Sequence, residues 1–227
     1  MFVLSAETST SMGSVALTDN DYLIGEVNFL NKVHHSQLLL KMIDSLLNEA
    51  AISLAKIDLF AVSVGPGSFT GLRVGVATMK GFATALGKPL TGVPTLEGFA
   101  GQLPYTPFPI CPLIPAKKNE IYMALYYYDE RLKLAVLKPP KMIPLSSLWQ
   151  QIKGPVHLLG DLPEIWRENQ VESQCYYSPQ FRYPRAFSVA QIAYQTFEER
   201  GGFSGEVPSI ILPEYPPRKT EPDGMLL

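Results

Sequence analysis

Only two cysteines occur in the 227 residues, Cys111 and Cys175, and neither belongs to a CxxC pair. So few thiols build no disulfide framework and no zinc knuckle, and they read as free thiols of a reducing compartment. An excess of charge is missing too: 19 Lys plus Arg against 21 Asp plus Glu leave a net charge of -2. No overall positive field therefore draws the chain to a phosphate backbone or an anionic membrane. Lys117, Lys118, Arg182 and Arg185 are scattered thinly and read as solvated surface rather than an RNA contact. Long apolar runs are absent. The stretch from Leu59 to Val64 falls far short of the roughly 20 residues of a membrane span, and the opening MFVLSAETSTSMG has no basic n-region. The expectation is a cytoplasmic protein with no membrane partner.

Histidine is scarce as well: His34 and His35 are adjacent and His157 is remote. Two metal-binding histidines on a helix must stand three or four residues apart to share a face, so no metal site is expected. The chain also lacks GxSxG, HExxH and any Cys–His pair in a recognisable context, which leaves a peptidase without a nucleophile and base.

What is present is a core-forming composition, 46% hydrophobic and 18% charged, well outside the disordered range. Phe2 to Glu7, Ser14 to Leu17 and Tyr22 to Leu30 are apolar runs separated by turn formers, which predicts a three-stranded meander. Leu39, Met42, Ile43, Leu46, Leu47 and Ala50 recur at the spacing of one helix face, and Ile57 to Val64 reads as a buried strand. After the break at Gly65 to Ser68 come a helix over Thr70 to Leu86, a strand over Pro89 to Val93 and a helix over Thr95 to Leu103. The proline-rich YTPFPICPLIP marks a seam, placed near Pro107, between residues 1–106 and 107–227. Beyond it the grammar restarts more loosely. Strands are expected over Ile110 to Ala116, Ile121 to Tyr128, Leu132 to Leu137 and Val156 to Leu159, with helices over Ser146 to Ile152 and Ser188 to Arg200. From Val207 onward five prolines predict an extended tail. Two halves that each open on a meander and then alternate helix and strand suggest a duplicated α/β unit whose second copy is degraded.

Two loops carry the candidate chemistry. GPGSFTGLR, Gly65 to Arg73, sits where a buried strand hands over to a helix; Gly65 and Gly67 permit close backbone approach, and Ser68 and Thr70 can cap the helix. It is neither a P-loop nor a GxGxxG, and it reads equally as a structural turn or as an anion site. The first turn sets Glu7 before Thr8, Ser9 and Thr10, a group able to hold Mg²⁺ through water or to contact a phosphate, or simply a hydroxyl-rich hairpin loop. The helix after GPGSFTG is dense in small residues, and each interior glycine costs about 1 kcal/mol against alanine unless another backbone comes close.

These motifs together resemble one family. The opening VLSAETST and SVAL, the helix start HSQLLLKMID, AVSVGPGSFTGLRVGVATMKGFA, VPTLEGFA, AKKNEIYMALY, LLGD and ILPEYPPRKTE resemble the TsaB (YeaZ) family across nearly the whole length. The resemblance implies an α/β actin-like ATPase architecture, two ribonuclease-H-like halves with the second reduced. It implies a non-catalytic scaffold that binds a TsaD-like threonylcarbamoyltransferase and supports N6-threonylcarbamoylation of adenosine in tRNAs reading ANN codons. TsaD-like proteins hold a metal with two histidines four apart, and this chain offers only the adjacent His34 and His35. By the same resemblance, the first-half helices dock the partner through Leu38, Leu39, Met42, Gly71, Gly75, Thr78 and Met79. A TsaE-like ATPase and the tRNA are reached through the complex, and a homodimer through the same face is the implied alternative. No cofactor is required, with at most a weak ATP or ADP contact in the full complex. The family's usual Asp is replaced by Glu7 and its DAR by Pro115-Ala116-Lys117, which argues against nucleotide contact at those positions. The rival reading on the same fold is an autonomous ATP-dependent phosphotransferase.

Overall fold

The computed structural model describes residues 1–30, 35–117, 119–161, 175–177 and 179–201. The first half opens on an antiparallel meander of β1 (Phe2–Glu7), β2 (Met12–Asp19) and β3 (Tyr22–Leu30). Helix α1 (His35–Glu49) leads to β4 (Leu59–Gly65), parallel to β1, and α2 (Phe69–Leu86) leads to β5 (Leu90–Pro94), parallel to β4. Every residue of β4 is buried, as expected of a strand covered on both faces. The short α3 (Thr95–Ala100) closes the half.

The second half repeats the plan. Strands β6 (Ile110–Pro115), β7 (Glu120–Tyr128) and β8 (Leu134–Pro144) form the meander, and β9 (Val156–Leu159) and β10 (Cys175–Tyr177) add on in parallel. The sheet orders are β3-β2-β1-β4-β5 and β10-β9-β6-β7-β8, so the second is the first with each strand replaced by its counterpart. The reduction lies in the helices: α4 (Leu148–Gln151) is a single turn where α1 has 15 residues.

Apolar stripes decide the layers. Leu39, Met42, Ile43, Leu46 and Leu47 of α1, with Val76, Met79 and Ala83 of α2, pack on Leu4, Val15, Leu17, Phe60 and Val62 of the first sheet. Its opposite face, with Val3, Leu59 and Ala61, is covered by Val189, Ala190 and Ala193 of α5 (Ala186–Glu199). In return Leu96, Phe99 and Ala100 of α3 pack on Ile110, Ile114 and Tyr126 of the second sheet. Among the described residues, each half thus lends its last helix to the other half's sheet.

Several boundaries differ from expectation. Strand β8 continues past Leu137 through Pro139 and Pro140, because it is the outermost strand of its sheet, where a missing N–H need cost no ladder bond. Strand β10, three residues long, was too short to show a period. Helix α3 ends at Ala100, where the Gly101 amide turns back to Glu97. The prolines expected to extend the tail from Val207 lie outside the described residues. Cys111 and Cys175 form no disulfide, and β9 separates their two strands.

Candidate functional site

The two loops singled out by sequence lie against each other at the C-terminal ends of β1 and β4. The Ser68 amide donates to the Ser9 carbonyl at 2.6 Å, and the Thr8 hydroxyl donates to the Gly71 carbonyl at 2.8 Å. The glycines of α2 serve this contact. A Cβ on Gly71 would lie 2.0 Å from the Thr8 carbonyl oxygen, one on Gly75 would lie 2.4 Å from the Thr8 hydroxyl, and one on Gly67 would lie 2.4 Å from the Ser9 carbonyl oxygen. Ser68 caps α2 by accepting from the Gly71 amide at 3.3 Å, and the Gly65 amide donates to the Thr95 hydroxyl at 3.1 Å. Thr10 exchanges hydrogen bonds with Met12, and Thr70 is exposed on the first turn of α2.

Glu7, at the end of β1, is fully buried. One carboxylate oxygen accepts from the Ser9 amide at 2.6 Å, while the other, like the hydroxyls of Ser9 and Ser63, makes no hydrogen bond. Burial pushes the Glu7 carboxyl up, and the hydrogen bond from the Ser9 amide offsets only part of that. A buried acid biased toward its neutral form is a poor seat for Mg²⁺. The amide of Ser68, a natural phosphate donor at a helix start, is already spent on Ser9. These residues therefore do not fit a metal-bound nucleotide between the two loops; they fit each other. Among the described residues no cluster of three or more His, Cys, Asp or Glu side chains could hold a metal ion; His34 lies outside them.

The residues expected to receive a partner are divided by the structure. Leu39, Met42, Gly71, Gly75 and Met79 are buried in the chain's own core, so their assignment to a docking face is corrected: the small side of α2 is filled by Thr8 and the sheet. Leu38 and Thr78 are half-buried at the rim. The side of α2 turned to solvent is instead Thr70, Arg73, Ala77, Gly81, Thr84 and Ala85, beside exposed Leu40 of α1. Nothing lies within 4 Å of where a Gly81 Cβ would be.

Comparison with known proteins places the chain. The family model described as TsaD, tRNA N6-adenosine threonylcarbamoyltransferase, matches residues 29–149. The tRNA threonylcarbamoyladenosine biosynthesis protein TsaB of Escherichia coli is 31% identical over 208 residues, 88% of either chain. TsaB of Bacillus subtilis is 31% identical over 163 residues, 70% of this chain and 71% of that protein. The chain belongs to the TsaB family. Among solved structures, YeaZ from Pseudomonas aeruginosa superposes with a TM-score of 0.73 at 24% identity, covering 92% of this chain and 99% of that one. An activator of 2-hydroxyisocaproyl-CoA dehydratase from Clostridium difficile, solved with bound ADPNP, superposes with a TM-score of 0.56 at 9% identity, over 88% and 97% of the two chains. Those two likenesses establish the fold, the actin-like ATPase architecture, and nothing more.

Set on this TsaB-family fold, five charged or phenolic side chains, Glu26, Asp161, Arg182, Tyr183 and Arg185, form a strap between the sheets. Asp161, at the end of β9, takes the Arg182 guanidinium and the Tyr183 hydroxyl, the latter at 2.5 Å. Glu26 of β3 takes Arg185, the Phe187 amide at 3.0 Å and the Ser14 hydroxyl at 3.2 Å, while Ser14 accepts from the Ala186 amide at 2.8 Å. The sequence signal is the charge itself: the carboxylates of Glu26 and Asp161 lie far along the chain from Arg182, Tyr183 and Arg185, so a linear reading cannot pair them.

Proposed function

We propose that this chain is a non-catalytic scaffold in tRNA threonylcarbamoyladenosine biosynthesis, binding a TsaD-like transferase through the first-half helices. The observation that carries the reading is the mutual closure of the Thr8–Thr10 and Gly65–Ser68 loops on a chain of the TsaB family. The hydrogen bonds and glycine clearances of these two loops are used on one another, which leaves little room for a phosphate between them. Glu7 is fully buried, and that burial raises its carboxyl above the ordinary carboxylate range, which weighs against the phosphotransferase reading.

The docking face in this reading is the outer side of α1 and α2, with Leu40, Ala77, Gly81, Thr84 and Ala85. Small residues there allow a partner helix to approach closely, and an interface of roughly 1,200–2,000 Å² would suffice. The TsaE-like ATPase and the tRNA join through the transferase, in the cytoplasm. No cofactor is required by this subunit, and a weak ATP or ADP contact within the full complex would use groups other than the two closed loops. Replacing Gly81 by Arg tests the reading. The variant should keep the wild-type thermal midpoint yet fail to co-purify with the TsaD-like protein; undiminished association would count against this face.

A further inference from the structure

Helix α5 covers its face of the first sheet across three strands, through Val3 of β1, Leu59 and Ala61 of β4 and Val93 of β5. On the second sheet the matching face is left to α3, which has six residues against 14, about 9 Å of helix against about 21 Å. The core that α3 builds includes Leu159 at the end of β9 and no residue of β10. Among the described residues, no helix packs on the start of β9 or on β10 along this face.

Strand alternation fixes what that bare strip presents. Val156 and Leu158 of β9 and Cys175 and Tyr177 of β10 turn to the side of α4, so the register partners His157 and Tyr176 turn to the side of α3. Phe108, just ahead of β6, joins them. Its ring lies 5.0 Å from that of Tyr176 with the planes 9° apart, and His157 lies 5.1 Å from Tyr176 and 5.9 Å from Phe108. Phe108 and His157 are half-buried, whereas Tyr176 is 44% exposed. Strand β10 borders its sheet, so one face of the Tyr176 ring stacks on Phe108 and no described strand lies beyond the other. Burial pushes the His157 imidazole down from its ordinary value, so at neutral pH it adds no charge to the row. Neither the His157 nitrogens nor the Tyr176 hydroxyl makes a side-chain hydrogen bond among the described residues.

An open-ended stack of uncharged rings with spare polar atoms fits a flat ring that has hydrogen-bonding groups on its edge. Exposed aromatics on a sheet face hold unstacked nucleobases in this way. One exposed ring is far less than the roughly 800 Å² per partner of a standard protein interface. The net charge of -2 is no obstacle, because stacking needs no neutralised phosphates. We propose that Phe108, His157 and Tyr176 form a stacking site for a single unpaired nucleobase. The site lies on the second sheet, away from α1 and α2, so the proposal does not depend on the scaffold reading.

The test uses the full chain with two probes, adenosine and a short unstructured oligoadenylate. Anisotropy of the labelled strand should show binding that weakens less than about threefold between about 50 and about 200 mM salt, where a charge-driven binder loses about a thousandfold or more. Photo-cross-links should map to peptides holding Phe108, His157 or Tyr176. Tyr176→Ala should weaken binding by about fivefold or more, while Tyr176→Phe stays within about twofold of wild type and both keep the thermal midpoint. Adenosine that shifts the His157 ring protons marks a site for free nucleosides, and binding of the strand alone marks a site for a base within RNA; either supports the proposal. Should Tyr176→Ala fail to fold, Tyr176→Leu and the mapped cross-link decide. Absence of binding by both probes would overturn the proposal. So would cross-links confined to other peptides, undiminished affinity without the ring at position 176, or a steep loss of binding with salt.

Discussion

At the scale of single residues, three glycines of one helix separate packing from surface. Gly71 and Gly75 are small because Thr8 occupies their space, so Gly71→Ala should destabilise the fold by about 3 kcal/mol or more, read by urea unfolding. Gly81 faces open solvent, and Gly81→Ala should stabilise by about 0.5–1 kcal/mol in the same assay. Glu7 makes a third case. Its folded pKa is raised, so the native state binds the extra proton and stability falls as pH rises from the ordinary carboxylate range through the folded value. Glu7→Gln removes that dependence. It should match the wild type near pH 4 and exceed it by about 1–3 kcal/mol at pH 7, measured by unfolding at a series of pH values. A variant whose advantage did not grow with pH would show that Glu7 stays ionised in the fold.

Among the elements, α5 shows how the two halves are held. Its first turn is docked by Glu26, which accepts the Phe187 amide and the Arg185 guanidinium, and by Ser14 and Ser5 on the same sheet face. Glu26→Ala leaves those donors without an acceptor and should cost about 1–3 kcal/mol, with hydrogen exchange accelerated first across residues 186–190. Most elements were readable in the sequence for a physical reason. β1, β4 and α1 are buried on one or both faces, and burial writes its period into the residues. Strand β10 and the prolines of β8 were not, since three residues carry no period and an edge strand tolerates what a central one forbids. The site was half legible. Both loops and the need for a close backbone approach to α2 could be seen, but the approaching group is Thr8, 63 positions away along the chain. A linear reading turned the glycine face outward because nothing local says which neighbour fills it. The strap from Arg182 to Phe187 was invisible for the same reason: its carboxylates lie on β3 and at the end of β9.

For the whole molecule, the exchange of α3 and α5 between sheets makes one body of two copies of a unit, with the closed loops at its centre. The scaffold reading rests on the surfaces of such a body, a member of the TsaB family. The outer side of α1 and α2 is the surface read as facing a transferase. The most direct measurement is a reconstituted tRNA threonylcarbamoylation assay with a TsaD-like protein, run with wild-type chain, with Gly81→Arg and with this chain alone. The account predicts modification only when wild-type chain and transferase are both present, with loss in Gly81→Arg that parallels loss of the complex. Turnover by this chain alone, or full modification supported by a Gly81→Arg variant that no longer binds, would contradict it.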